Sequence, residues 1–199
     1  MAIDVNGRVG PAKYADGTLT PPRLANDGSL VLGANYQESV YRGNVFFAAN
    51  QAAVTFSVGL TTTTAVGLII ANPPGSGKLI VPLQVEFVNT GVIVGTAGLV
   101  VRGYSSTAIA HTTALTPLNA RLGGAAPVAT ADQGAGLTTA PTVWKALYSV
   151  LSTNTGVISQ AALYDLGGSL MIPQGCAYGV LASAAMTGFC STTWMEIDA

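Results

Sequence analysis

Few residues in this chain have the type and spacing to do chemistry. His111 is the single histidine and so the one side chain that titrates near neutrality, but it sits in Ala-His-Thr-Thr with no carboxylate beside it to orient the ring. No GxSxG elbow supplies a serine for it to activate, since Gly75-Ser76-Gly77 lacks the spacing. The stretch Asn72-Pro-Pro-Gly-Ser-Gly-Lys78 ends like a phosphate-binding loop. That motif needs glycine where Asn72 stands and Ser or Thr where Leu79 stands, so the tight first turn and the magnesium-binding hydroxyl are both missing. The segment reads as a turn. Glu86, Asp132, Asp165, Glu196 and Asp198 offer carboxylates for glycoside hydrolysis, but nothing along the chain pairs any two at the required separation. Cys176 and Cys190 form no CxxC, and two thiols with one imidazole cannot complete a four-ligand zinc site. Both read as free thiols buried in apolar strands. No Asp-rich calcium loop occurs. The expectation is a protein that is not an enzyme, with no catalytic residues, no metal and no cofactor.

Binding chemistry is slightly better represented. Trp144, Tyr148, Tyr164, Tyr178 and Trp194 could stack on the apolar side of a pyranose. Only 7% of the chain is aromatic, however, and a sandwich core needs most of those rings.

The elements that must position these residues are short and β-rich. Val45 to Ala49, Val54 to Leu60, Val66 to Ile70, Leu79 to Val88 and Gly98 to Tyr104 are rich in Val, Ile, Phe and Thr and are bounded by Gly, Pro or Asn. Such runs at close spacing predict an all-β sandwich or barrel. In the fourth run Leu83, Val85 and Phe87 face one side and Gln84 and Glu86 the other, and Pro82, which cannot donate to a ladder, predicts an edge or a bulge. Residues 105–142, rich in Ala, Thr and Gly, are too long for a structureless loop and should contain short strands or lie on a neighbour. Thr142 to Leu151 fits a helix, with Val143, Leu147, Val150 and Leu151 on one face, and fits a strand nearly as well.

Composition sets the wider frame. A chain of 199 residues, 49% of them hydrophobic, can bury one sizeable core. Only 9% are charged, against roughly 25% in an ordinary soluble domain. A folded monomer of this mass would expose roughly 8,700 Å², or one charge per roughly 500 Å². That is sparse for a surface in water and suits one that meets other protein. A net charge of -1 gives no field for nucleic acid or an anionic membrane, and no apolar run reaches a membrane span. The polar, turn-rich start Met1-Ala-Ile-Asp-Val-Asn-Gly is not a secretory signal, so synthesis in a cytoplasm is expected.

Charge is also distributed unevenly, with 8 of the 17 charged residues in the first 42. That stretch carries Pro11, Pro21, Pro22 and the turn pairs Asn6-Gly7, Asp16-Gly17 and Asp27-Gly28, with no helical period. It reads as an extended N-terminal arm, residues 1–42, before a β-sandwich domain, residues 43–199. Such an arm buries its backbone by lying on a partner. Arg8, Lys13 and Arg23 would contact carboxylates there, and Tyr14 and Leu24 would fill shallow apolar pockets.

Two resemblances follow. Gly168-Ser-Leu-Met-Ile-Pro-Gln-Gly175, the run Cys176 to Ala182, the turn Ser183 to Gly188 and the last strand Phe189 to Ile197 resemble the closing strands of jelly-roll and TNF-like sandwiches, where a Pro-x-Gly corner precedes the final hairpin. The whole chain, with its arm, its Gly-, Ala-, Thr- and Val-rich β domain and its lack of catalytic motifs, resembles virion structural proteins of tailed bacteriophages, especially capsid decoration or cement proteins. That likeness implies a homotrimer that binds the major capsid protein outside an icosahedral shell and stabilises it, located in the virion. Other virion parts (tail, baseplate, head fibre or coat) and a carbohydrate-binding adhesive module are the alternatives.

Overall fold

β-branched and aromatic runs broken by Pro and Gly favour strands over helices, and in the computed structural model they pair into two antiparallel sheets. The structure describes residues 35–56, 63–91, 95–104, 109–137, 140–152 and 160–199. The arm residues Arg8, Lys13, Tyr14, Arg23 and Leu24 lie outside the described residues.

The end of the arm departs from the extended expectation, because Asn35–Arg42 form a helix, α1. Glu38 in its first turn and Arg42 in its last complement the helix dipole, and their side chains meet at 3.2 Å one turn apart. Gly43, with φ +79°, stops the helix: its N–H donates to Val40 O at 3.0 Å and the Asn44 N–H to Ser39 O at 2.9 Å. That pair of bonds is a Schellman cap, which needs a left-handed residue where glycine stands.

The first sheet contains β1 (Val45–Ala49), β2 (Val54–Thr55), β4 (Lys78–Asn89), β7 (Leu118–Asn119), β10 (Gln160–Asp165) and β12 (Thr187–Asp198), ordered β10-β4-β12-β1-β7 with β2 also on β12. The second contains β3 (Thr64–Ala71), β5 (Gly95–Tyr104), β6 (Ile109–Leu115), β8 (Thr130–Leu137), β9 (Thr142–Ser152) and β11 (Ala177–Ala182), ordered β6-β8-β3-β11-β5-β9. The pairings nest: β1 with β12, β3 with β11, β4 with β10 and β5 with β9. A long antiparallel ribbon wound in this way is a jelly roll, so the chain is an all-β jelly-roll sandwich. β6, β7 and β8 come from residues 105–142 and extend both sheets at the side away from β9 and β10, which answers the expectation of short strands there.

Several local expectations are now settled. Pro82 sits in a central strand at a bulge: Thr193 pairs with Gln84 and Trp194 with Pro82, leaving Leu83 as the extra residue. Val85 and Phe87 point into the core and Glu86 points out. Thr142–Ser152 is a strand, because pairing with β5 outweighs a helical pattern less than three turns long. The ending needs correcting. Of residues 168–172, Ile172 alone joins a ladder, as a single bridge to Ile80, and Ser183 to Met186 is a crossover between sheets, since β11 and β12 lie in different ones. Small residues suit that crossing. The same holds for Asn72 to Gly77, which links β3 to β4 across the sandwich.

Trp194, Tyr178, Phe56 and Phe87 fill the space between the sheets with Ile70, Ile80 and Val180. The Tyr178 hydroxyl meets Thr192 Oγ1 at 2.9 Å, and Thr192 Oγ1 lies 2.9 Å from Gln84 O, which accepts from it. Burial pushes the Tyr178 phenol well above its ordinary range, the Thr192 bond opposing and the nearby Cys190 adding to the rise.

Candidate interaction surface

β12 alternates buried and exposed residues, with Cys190, Thr192 and Trp194 inside and Phe189, Ser191 and Thr193 outside. Its neighbours follow the register. One outward row runs Leu163, Glu86, Ser191, Ala49, and the next runs Ala161, Val88, Phe189. A third runs Asp165, Gln84, Thr193, Phe47, Leu118. The solvent face of a sandwich is normally polar. Here Leu163 is 62% exposed, Leu118 54% and Phe189 43%, with Val88 and Phe47 also open to water.

The ionisable groups on this face are few and already engaged. Ser191 Oγ donates to Glu86 Oε2 at 2.7 Å, and the Gly167 N–H donates to Asp165 Oδ1 at 2.7 Å. A dimple of about 180 Å³ opens between Val88, Phe189, Ala49 and the Glu86–Ser191 pair. On the flank, Lys145 of β9 donates to Ser169 in the loop after β10, so the two edge strands share one side of the molecule. Val143 and Trp144 are exposed there, and the Trp144 ring lies flat on β5, where a Cβ at Gly103 would come within 1.6 Å of it.

Several of the residues singled out for chemistry are held in contacts of the fold. Glu196 is buried and holds a loop, its Oε2 accepting from Val128 N at 3.0 Å and its Oε1 from Ala129 N at 2.9 Å. Asp198 pairs with Lys78. Ser76 donates to Asn72 Oδ1 at 2.6 Å and Asn72 Nδ2 to Lys78 O at 2.8 Å, closing the Gly-Ser-Gly-Lys turn on itself. That turn joins two strands, whereas a phosphate-binding loop opens a helix. His111 lies on β6 opposite Ala135. Among the described residues no group of three His, Cys, Asp or Glu could hold a metal ion, and no helix is long and apolar enough to cross a membrane. Of the five aromatics considered for sugar stacking, Tyr178 and Trp194 are core residues, so they cannot join an exposed platform with Trp144. Cys176 and Cys190 are free, the first half-buried and the second buried. Burial, with a smaller contribution from the Glu86 charge, pushes the Cys190 thiol well up.

The alternation of β12 can be read in the sequence, but the apolar face exists only once β10, β4 and β12 lie side by side. No protein-family model and no curated protein matches the chain. Among solved structures it is similar to Eiger TNF from S. frugiperda, with TM-score 0.35 and 12% identity over 78% of this chain and 92% of that one. The fold class rests on the nested strand pairing above.

Proposed function

We propose that this chain is a structural jelly-roll subunit that works as a closed homo-oligomer, and that the oligomer decorates and stabilises a shell of the tailed-bacteriophage type. The observation that carries the reading is the apolar outward face of the first sheet, with its dimple. A second copy of the same chain suits that face. Copies with a net charge of -1 scarcely repel one another, and the exposed Trp144 lies on the flank beside the edge strand that carries Leu163, while the dimple lies on the face. Contacts between two different patches are heterologous, and the smallest ring they close is a trimer. The shell role is supported by the charge-poor composition and by the proline-broken arm, whose Arg8, Lys13, Tyr14, Arg23 and Leu24 would grip the capsid protein.

Sedimentation velocity of the full chain tests the first half. The expected species is a trimer at micromolar concentration, and a single-chain mass there would overturn it. The second half is tested by mixing the oligomer with phage heads lacking decoration. Retention on the heads, lost when residues 1–30 are deleted, is expected. An oligomer that no such head retains would refute the shell role.

A further inference from the structure

Three of the chain's eight basic residues converge on one cavity of about 440 Å³. Arg42 reaches it from the end of α1, Lys78 from the start of β4 and Arg121 from the turn after β7. The cavity lies at the end of the sandwich, so it is separate from the centre of the apolar face. Arg121 is held in place: its Nη1 donates to Tyr41 O at 3.1 Å and its guanidinium lies 5.5 Å from the Tyr41 ring centre. Asn119 Nδ2 donates to Gly43 O and to Ala125 O, both at 2.8 Å, tying the helix cap to the loop that forms the opposite wall.

Three acids stand near these cations, and each already has partners. Glu196 also lines the cavity, but it is 4% exposed and both its oxygens already accept N–H groups from Val128, Ala129 and Trp194. Glu38 on Arg42 and Asp198 on Lys78 lie outside the lining, and the Asp198 side chain is 87% exposed. The exposed Lys78–Asp198 pair holds weakly and is screened by salt, whereas Glu38 is only partly exposed.

We propose that this cavity binds a small organic polyanion, its oxyanion groups held by Arg42, Lys78 and Arg121. Three cations on three separate elements suit a ligand with more than one anionic group, and the planar Arg121 fork suits a carboxylate or phosphate. Phe46, Ala126 and Val128 in the wall suit its carbon body, and the volume falls in the ordinary small-molecule range. The inference does not depend on self-association.

Calorimetric titration of the full chain with citrate, and separately with inorganic phosphate, at ionic strength balanced with chloride, tests it. Saturable citrate binding is expected at one site per chain. Arg121→Gln and Lys78→Gln should each weaken it about tenfold or more, the loss of one charge-assisted hydrogen bond. Neither side chain is buried, so both variants should melt close to the parent without ligand. Saturable phosphate binding with the same losses but no citrate binding would support the site and assign it to phosphate esters. No saturable heat from either anion, or binding that both variants retain, would overturn the proposal.

Discussion

Leu163→Asp should dissolve the proposed oligomer while leaving the subunit folded. Leu163 lies on β10, which pairs with one strand only, and its side chain is 62% exposed in the isolated chain. Burying a whole leucine contributes about 1.5–3 kcal/mol, so covering the exposed part against a neighbour is worth roughly 1–2 kcal/mol. The variant forfeits that and must also desolvate a carboxylate at the contact, costing about 2 kcal/mol or more where no cation faces it. A combined loss of about 3–4 kcal/mol per contact raises the dissociation constant on the order of a hundredfold or more. The fold should hardly notice, since surface substitutions away from caps, turns and packed sites usually stay within about 0.5 kcal/mol. Sedimentation velocity over a dilution series reads the first quantity, and thermal melting under conditions where both proteins are monomeric reads the second. An oligomer that survives the substitution with unchanged affinity would refute the contact. Dissociation accompanied by unfolding of the monomer would show that Leu163 serves the subunit's own stability instead.

Two further outcomes concern the subunit itself. Asn50→Ala should cost about 3 kcal/mol and lower the melting temperature by about 6–12 °C, because Asn50 Nδ2 donates to Gly188 O at 3.1 Å and to Ala52 O at 2.8 Å and its Oδ1 accepts from Cys190 N, and the alanine removes all three bonds and strands the buried Cys190 N–H. The buried Cys190 should resist a thiol reagent in the native protein while the half-buried Cys176 reacts, so one thiol per chain is expected before unfolding and two after. Both Cys190 and Tyr178 have raised native values, so the native state keeps protons that the unfolded chain releases at high pH. Stability from these groups is therefore complete below about pH 8.5 and falls as pH rises through the unfolded thiol and phenol ranges, which urea midpoints measured between about pH 7 and 11 would show.

How much of this was legible depended on whether a residue's role was local. Val45 to Ala49 matched β1 to the residue because β-branched and aromatic types bounded by turn formers decide a strand by themselves. Pro82 announced its bulge because a missing donor must be accommodated wherever it falls. The helix at Asn35–Arg42 was hidden by the turn-rich residues before it, and its signals, Glu38, Arg42 and Gly43, occupy a single short cap-to-cap segment. The ending was misread at Ser183 because a tight link of small residues looks the same whether it folds a hairpin or crosses to the other sheet. The candidate surface and the basic cavity were invisible for a stronger reason. Leu163, Glu86, Ser191 and Ala49 form one row only once β10, β4, β12 and β1 are side by side, and Arg42, Lys78 and Arg121 meet only through the winding of the jelly roll.

Within the proposed oligomer, that winding favours face-to-flank contact over edge-to-edge contact. A sheet can always recruit another strand at an open edge, and natural sandwiches blunt their edges to prevent it. In the first sheet the edge strands are β7, two residues long, and β10, six residues long. In the second sheet β9 is eleven residues long, enough to template a partner, but its pairing with β5 slips twice, between Leu99 and Val100 and between Val101 and Arg102. β6 at the opposite edge slips against β8 at two points as well. Such irregularities bend and twist an edge away from the regular ladder that strand addition requires. Backbone pairing between copies is thus discouraged at β7, β9 and β6, while the outward rows of the first sheet stay open to side-chain packing. An assembly built on that face would gain specificity from how Val88, Phe189 and the dimple between them fit a neighbour.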